Sequence, residues 1–272
     1  MANADLLTPI DWHHPGLLPL AEPGMRLSQT ADWISAINEL AATRKLRNHR
    51  GLPVRFVPQS YLPEGAAYES HISATGNVPT RENLHDFFNA LIWLRYPRIK
   101  VRLNELQAAQ ITTPPQAGDP TMKPVRGKLR DAATIFDENA AIFVATSPES
   151  LEALRLHRWE ELFCRCREKF WEKCHVSLFG HALLEKLVSP YKSMTAHAWL
   201  LLADSQFNTW TAAEKDAWID QTMVSQLNET LTTRLFTPLP IMGLPGWWHP
   251  QDIAFYEDKA VFRPKRVLST AT

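Results

Sequence analysis

Charge of one sign is what this 272-residue chain lacks first: Lys+Arg and Asp+Glu are equal at 29 each, for a formal net charge of zero. A general binder of nucleic acid or of an anionic membrane needs a basic excess, so that class is not expected. Long apolar runs are absent as well. The longest, "TAHAWLLLAD", falls well short of the roughly 20 residues of a membrane span and carries His197. The opening "MANADLLTPIDWHHPG" has neither a basic leader nor a continuous apolar core, so it does not read as a signal peptide, and a cytoplasmic location is expected. Three cysteines in a chain this long suit reduced thiols, not a disulfide framework. The glycine-rich phosphate loops, the G-x-S-x-G elbow and H-E-x-x-H are all missing.

What is there is apolar material for a sizeable core: 45% hydrophobic residues, ten Trp and twenty Pro. Residues 1–30 hold four prolines yet also Ile10, Trp12, Leu17 and Leu20, which predicts an irregular segment lying over the core. "TADWISAINELAATRKL" predicts a helix capped by Thr30, with a Trp33, Ile34, Ile37 and Leu40 stripe. A short strand is expected in "LPVRFVPQSYLPEG", then a short helix around Tyr68 and Ile72 ended by Gly76. Thr80 is the expected cap of the next helix, and Pro97 the start of the one after it. Residues 112–130 have the composition of a linker. "FDENA" lies between two β-prone runs and predicts a hairpin, with a helix for its first arm as the alternative. Residues 147–190 read as two or three helices. "TAHAWLLLAD" is a strand or a buried helix, "TAAEKDAWIDQTMVSQLNETL" is an amphipathic helix, and the tail is a loop followed by a short strand or hairpin. The sum is an α+β chain, mostly helical, with a small mixed or antiparallel sheet.

The helix in "NLHDFFNALIWLRYPR" is unusual on its polar side. Leu84, Phe87, Phe88, Leu91, Ile92 and Leu94 share one face, and His85, Asp86, Asn89 and Trp93 fall on the other. Short polar groups beside a Trp, in place of long charged chains, imply partial burial, and buried polar groups need partners. "FGHALLEKL" poses the same question, because His181 and Glu185 stand one turn apart on a helix that is otherwise apolar. Each pattern suits a structural network. Each also suits chemistry: Glu185 can orient His181 as an acid/base, or the pair can be half of a metal site. His197 is a third polar residue in an apolar run, while turn chemistry alone explains Asp137 and Glu138. The cysteines of "CRCREKFWEKCH" have the wrong spacing for a zinc finger. "LPGWWHP" and "WHHPG" are aromatic loops that either line a pocket or cover the core.

Taken in order, "PVRFVPQ", "AYESHI", "TGNVPTRENLHDFFNALIWLRYPR", "FDENAA", "LFGHALLEKL", "TAHAW", "LPGWW" and "FYEDKAVFRP" resemble the proteobacterial family called domain of unknown function 3025. The resemblance runs from about Trp12 to about Arg266, which implies one domain spanning the chain and a surface loop at 112–130. It brings no activity, substrate or cofactor, and its pattern does not ask for the cysteines.

The expectation is therefore a soluble enzyme, hydrolase-like or metal-assisted. His181 is its acid/base and Glu185 the orienting carboxylate. His85 and Asp86 are the ligands of a possible divalent metal, and Asn89, Trp93, His197 and Trp247 contact the substrate. The alternative is a non-catalytic binding or scaffolding protein in which the same groups form a core network. No particular partner is indicated.

Overall fold

The computed structural model describes residue 7, residues 9–112 and residues 127–265. Its order is α1 (Ala21–Ser28), α2 (Trp33–Thr43), β1 (Arg55–Pro58), α3 (Tyr68–Thr75), β2 (Asn77–Thr80), α4 (Leu84–Arg95), α5 (Pro97–Thr112) and α6 (Lys128–Asn139). There follow β3 (Ala140–Ala145), α7 (Pro148–Arg155), α8 (Phe170–Lys173), β4 (Cys174–Leu178), α9 (His181–Leu187), β5 (Thr195–Leu202), α10 (Ala212–Gln226), β6 (Thr237–Pro240) and α11 (Ile253–Glu257). This is an α+β protein, mostly helical. The main sheet is mixed, in the order β4-β3-β5-β6, with β3 antiparallel to β4 and parallel to β5, and β6 antiparallel to β5. A second, two-stranded sheet pairs β1 with β2 in parallel.

Strand β3 is the axis of the core. Each residue of "AAIFVA" is buried, as a central strand covered on both faces requires. The buried side chains form one continuous cluster from the N-terminal segment through the sheet to Phe262. No helix among the described residues is long and apolar enough to cross a membrane.

Several local expectations are corrected. The N-terminal segment is not irregular throughout: it folds into α1, with Pro23 in the first turn where its missing N–H is no loss. It does cover the core, and Trp12 meets Phe87 and Phe88 at 6.4 and 6.3 Å. Asp32, not Thr30, caps α2 by accepting from the Ser35 amide. Asn83, not Thr80, caps α4, while Thr80 ends β2. The hairpin at "FDENA" is a helix running straight into a strand. Leu129, Ala132, Ala133 and Phe136 recur at helical spacing and bury one face of α6, which decides the matter. Of the expected loop at 112–130, residues 113–126 lie outside the described residues, and Lys128 already begins α6. The 147–190 stretch contains strand β4, because pairing with β3 overrides the helical composition around it. In the tail, the strand comes first as β6, and "IAFYE" forms the short helix α11.

Candidate metal centre

Three helix ends meet at one point. The first turn of α4 brings His85, the last turn of α6 brings Asp137 and Glu138, and the start of α9 brings His181, with Glu185 one turn further on. Local sequence fixes each end. Asn83 caps α4 by accepting from the Asp86 amide at 2.7 Å. The Asp86 carboxylate in turn receives the Arg81 amide at 2.6 Å and the Arg81 guanidinium at 3.0 and 3.1 Å, so the loop before the helix cannot swing. Gly180 sets the third end. A Cβ there would lie 2.5 Å from the Glu138 carbonyl oxygen and the Asn139 amide nitrogen, and 2.6 Å from the Ala140 amide. Only a residue without a side chain lets α9 start against the α6–β3 junction. The Gly180 and Phe179 amides then both donate to the Ala140 carbonyl, at 2.9 and 3.0 Å.

The resulting cluster is tight. The Nε2 atoms of His85 and His181 are 3.0 Å apart, and Glu138 Oε2 lies 3.4 Å from the second and 3.8 Å from the first. His85 Nδ1 is 3.0 Å from Glu185 Oε2. His181 Nδ1 is buried with no hydrogen-bond partner, and its nearest carboxylate oxygen is Asp137 Oδ2 at 3.9 Å. Asp137 is held from the other side by Lys100, whose ammonium donates at 2.6 Å to it and at 2.8 Å to Asn89 Oδ1 while lying 5.5 Å above the Trp93 ring. Behind Lys100 sits a sealed polar layer. Asn89 donates to the Tyr68 hydroxyl at 3.3 Å, and Asn104 donates to Glu69 at 2.6 Å.

Electrostatics follow burial. The His181 imidazole is pushed down to about 3, because burial disfavours the charged ring more than Asp137 favours it. Burial and the neighbouring Asp137 raise Glu138. For Asp137, burial acts upward, but Lys100 and the two histidines prevail and hold it below the usual carboxylate range. Burial raises Glu69 as well.

One ligand atom each of His85, Glu138 and His181 lies within 4.8 Å of the other two. A tetrahedral zinc with metal–ligand bonds of about 2.0–2.1 Å needs donor atoms about 3.3 Å apart. The three observed separations, 3.0, 3.4 and 3.8 Å, bracket that value. Proton accounting points the same way. Glu185 only accepts, so His85 donates through Nδ1 and presents a lone pair at Nε2. If His181 donates to that lone pair, its own buried Nδ1 carries a second lone pair facing a carboxylate. If both Nε2 atoms face a cation, His85 Nδ1–H donates to Glu185, the arrangement that orients metal-bound histidines, and the protonated His181 Nδ1 has Asp137 as its nearest carboxylate at 3.9 Å.

The sequence-predicted residues separate here. His85, His181 and Glu185 come together, but Glu185 contacts His85 and not the ring on its own helix. Asp86 is turned away, spent on Arg81. Asn89 and Trp93 lie in the sealed layer around Lys100. His197 packs on Phe236, its Nδ1 without a partner. Trp247 is buried elsewhere, edge-on to His14. Asp137 and Glu138, for which turn chemistry was the expected explanation, lie instead in the last turn of α6 and face the cluster, and Lys100 escaped sequence reasoning. For Lys100 a signal existed: Lys100, Asn104 and Gln107 recur at helical spacing, and all three are buried.

Fold and site together describe an α+β protein whose helix ends converge on a His/His/Glu cluster. The chain belongs to the family described as "Protein of unknown function (DUF3025)", whose model matches residues 54–266 and so takes in the whole cluster. That span starts later than the Trp12 at which the resemblance was read. No curated protein and no solved structure matches the chain.

Proposed function

We propose that this chain is a metal-dependent enzyme of hydrolytic type, with His85 Nε2, His181 Nε2 and Glu138 Oε2 as ligands of one divalent ion. The observation that carries the reading is the meeting of these three atoms from three helices, with Glu185 bonded to His85 Nδ1 at 3.0 Å and Asp137 Oδ2 3.9 Å from the unpartnered Nδ1 of His181. Two imidazoles and one carboxylate leave a fourth position open, and a divalent ion so held supplies a Lewis acid or an activated water. His181 is the sealed side of the site, its side chain 5% exposed. Glu185, at 41%, is the open side, where substrate would approach. Glu185 fixes the tautomer of His85, a positioning role in place of the acid/base pairing with His181 expected from sequence. Asp86 is not among the proposed ligands.

The sealed layer of Asn89, Trp93, Lys100 and Asp137 favours the alternative, a structural network, for that half of the group. It is the support on which the ligands stand.

A chromogenic ester and a chromogenic phosphodiester offered to zinc- or manganese-loaded protein test the reading. Glu138→Gln should reduce turnover of at least one substrate by about tenfold or more. Turnover of neither substrate above background, or equal turnover by the variant, excludes it.

A further inference from the structure

A second site lies apart from the histidine cluster and shares no residue with it. Strands β5 and β6, the turn after α7 and the segment 260–265 enclose an open groove of about 1130 Å³. That is somewhat above the common range of small-molecule sites, about 300–1,000 Å³. The groove is cationic: Arg155, Arg234, Arg263 and Lys265 line it, and among the described residues no Asp or Glu does. In a chain whose charges balance overall, such segregation is local. Arg155 and Arg234 are exposed and their side chains make no hydrogen bond or ion pair with any described residue, so both guanidiniums are available to a ligand.

One wall is built with unusual care. Phe163 and Trp159 stack at 5.9 Å and 9°, and His157 continues the pile on Trp159 at 4.9 Å and 27°. His157 adopts φ 55° as the left-handed residue that ends α7, its amide donating to the Leu154 carbonyl at 3.1 Å and the Arg158 amide to the Ala153 carbonyl at 2.8 Å. Two ring donors tie the pile to the 260–265 segment. His157 Nδ1 and Trp159 Nε1 both donate to the Arg263 carbonyl, at 3.1 and 2.8 Å. The pile ends at His157, whose ring lines the groove.

We propose that the groove binds a small phosphorylated ligand with a planar ring, of the nucleoside-phosphate class. The ring extends the stack on His157, and the phosphates lie against Arg155 and Arg234. Guanidiniums match phosphate oxygens with paired N–H donors, and aromatic rings accept any flat base.

The test is a calorimetric titration of the full chain with ADP, adenosine and pyrophosphate, in chelator so that no metal contributes. The expected result is ADP binding that weakens with salt and exceeds that of either fragment. Arg155→Ala/Arg234→Ala should weaken ADP binding at least tenfold, and Arg26→Ala, on α1, should leave it unchanged. His157→Ala should weaken ADP more than pyrophosphate. No ADP binding at millimolar concentration, equal binding by the folded double variant, or pyrophosphate binding as tight as ADP would overturn the proposal. Because chelator is present, each of these results is independent of the metal reading.

Discussion

His85 and His181 face each other through their Nε2 atoms at 3.0 Å, and the far nitrogen of each ring is turned toward a carboxylate, Glu185 at 3.0 Å and Asp137 at 3.9 Å. In the proposed metal centre these two Nε2 atoms and Glu138 Oε2 are the donor set for one cation.

Gly180 is the residue on which this geometry depends most. Gly180→Ala puts a methyl group against the backbone of Glu138, Asn139 and Ala140. The start of α9 must retreat, taking His181 from Glu138. The expected cost is about 1–3 kcal/mol of stability, typical of overpacking, together with weaker metal binding. Denaturant unfolding and a cobalt titration of the variant measure both. An unchanged midpoint with unchanged cobalt affinity would show that α9 has room to spare.

Lys100→Met tests the sealed layer. Lys100 is 5% exposed and bonds Asp137 and Asn89. Removing it strands a buried carboxylate, which costs about 3–5 kcal/mol. Chemical denaturation reads this directly. A loss below 1 kcal/mol would mean that Asp137 finds water or another donor.

Part of this centre is written plainly in the sequence. His85 on the polar side of α4, and His181 with Glu185 on α9, show there because spacing of four on an otherwise apolar helix is a local property. The packing of those two helices, polar faces inward, follows from the need of each for partners. Asp137 and Glu138 are hidden because "FDENAA" ends a helix and starts a strand without a turn between, and flanking β-prone residues imitate a hairpin. His197 and Trp247 looked alike to His85 and Trp93 by composition. Only the sheet register and the packing of the tail place them elsewhere. Strand β4 is lost for a similar reason. "CHVSL" becomes a strand by pairing with β3, a long-range fact that no window of sequence contains.

Glu185→Gln separates positioning from stability. The side chain is 41% exposed, so metal-free protein should melt where the wild type does. Metal affinity should fall by about 10–100-fold, as for other groups that orient a ligating histidine. Isothermal titration with zinc decides. A large loss of stability in the metal-free variant, with affinity unchanged, would make Glu185 a structural partner of His85.

His175 governs part of the acid response. Burial, aided by the Arg95 and Lys215 charges, pushes its imidazole down to about 4. Unfolded, it protonates near 6.5, so between those values the unfolded chain binds more protons and stability falls as pH drops. His175 is half-buried, which limits the loss to about 2 kcal/mol by pH 4. His175→Gln should lose less stability than the wild type between pH 7 and 4.5. Parallel acid limbs for the two proteins would place the effect on other groups.

The most direct measurement is metal content. Protein purified from zinc-supplemented medium should carry one equivalent by elemental analysis, should melt higher than its chelator-treated form, and should lose both properties in His85→Ala/His181→Ala. The Cys164→Ser/Cys166→Ser/Cys174→Ser variant should keep its metal. Wild-type protein that retains no metal and shows no thermal shift with zinc, cobalt or manganese, or metal that disappears with the cysteines and survives loss of the histidines, would contradict the assignment of His85, Glu138 and His181 as a metal centre.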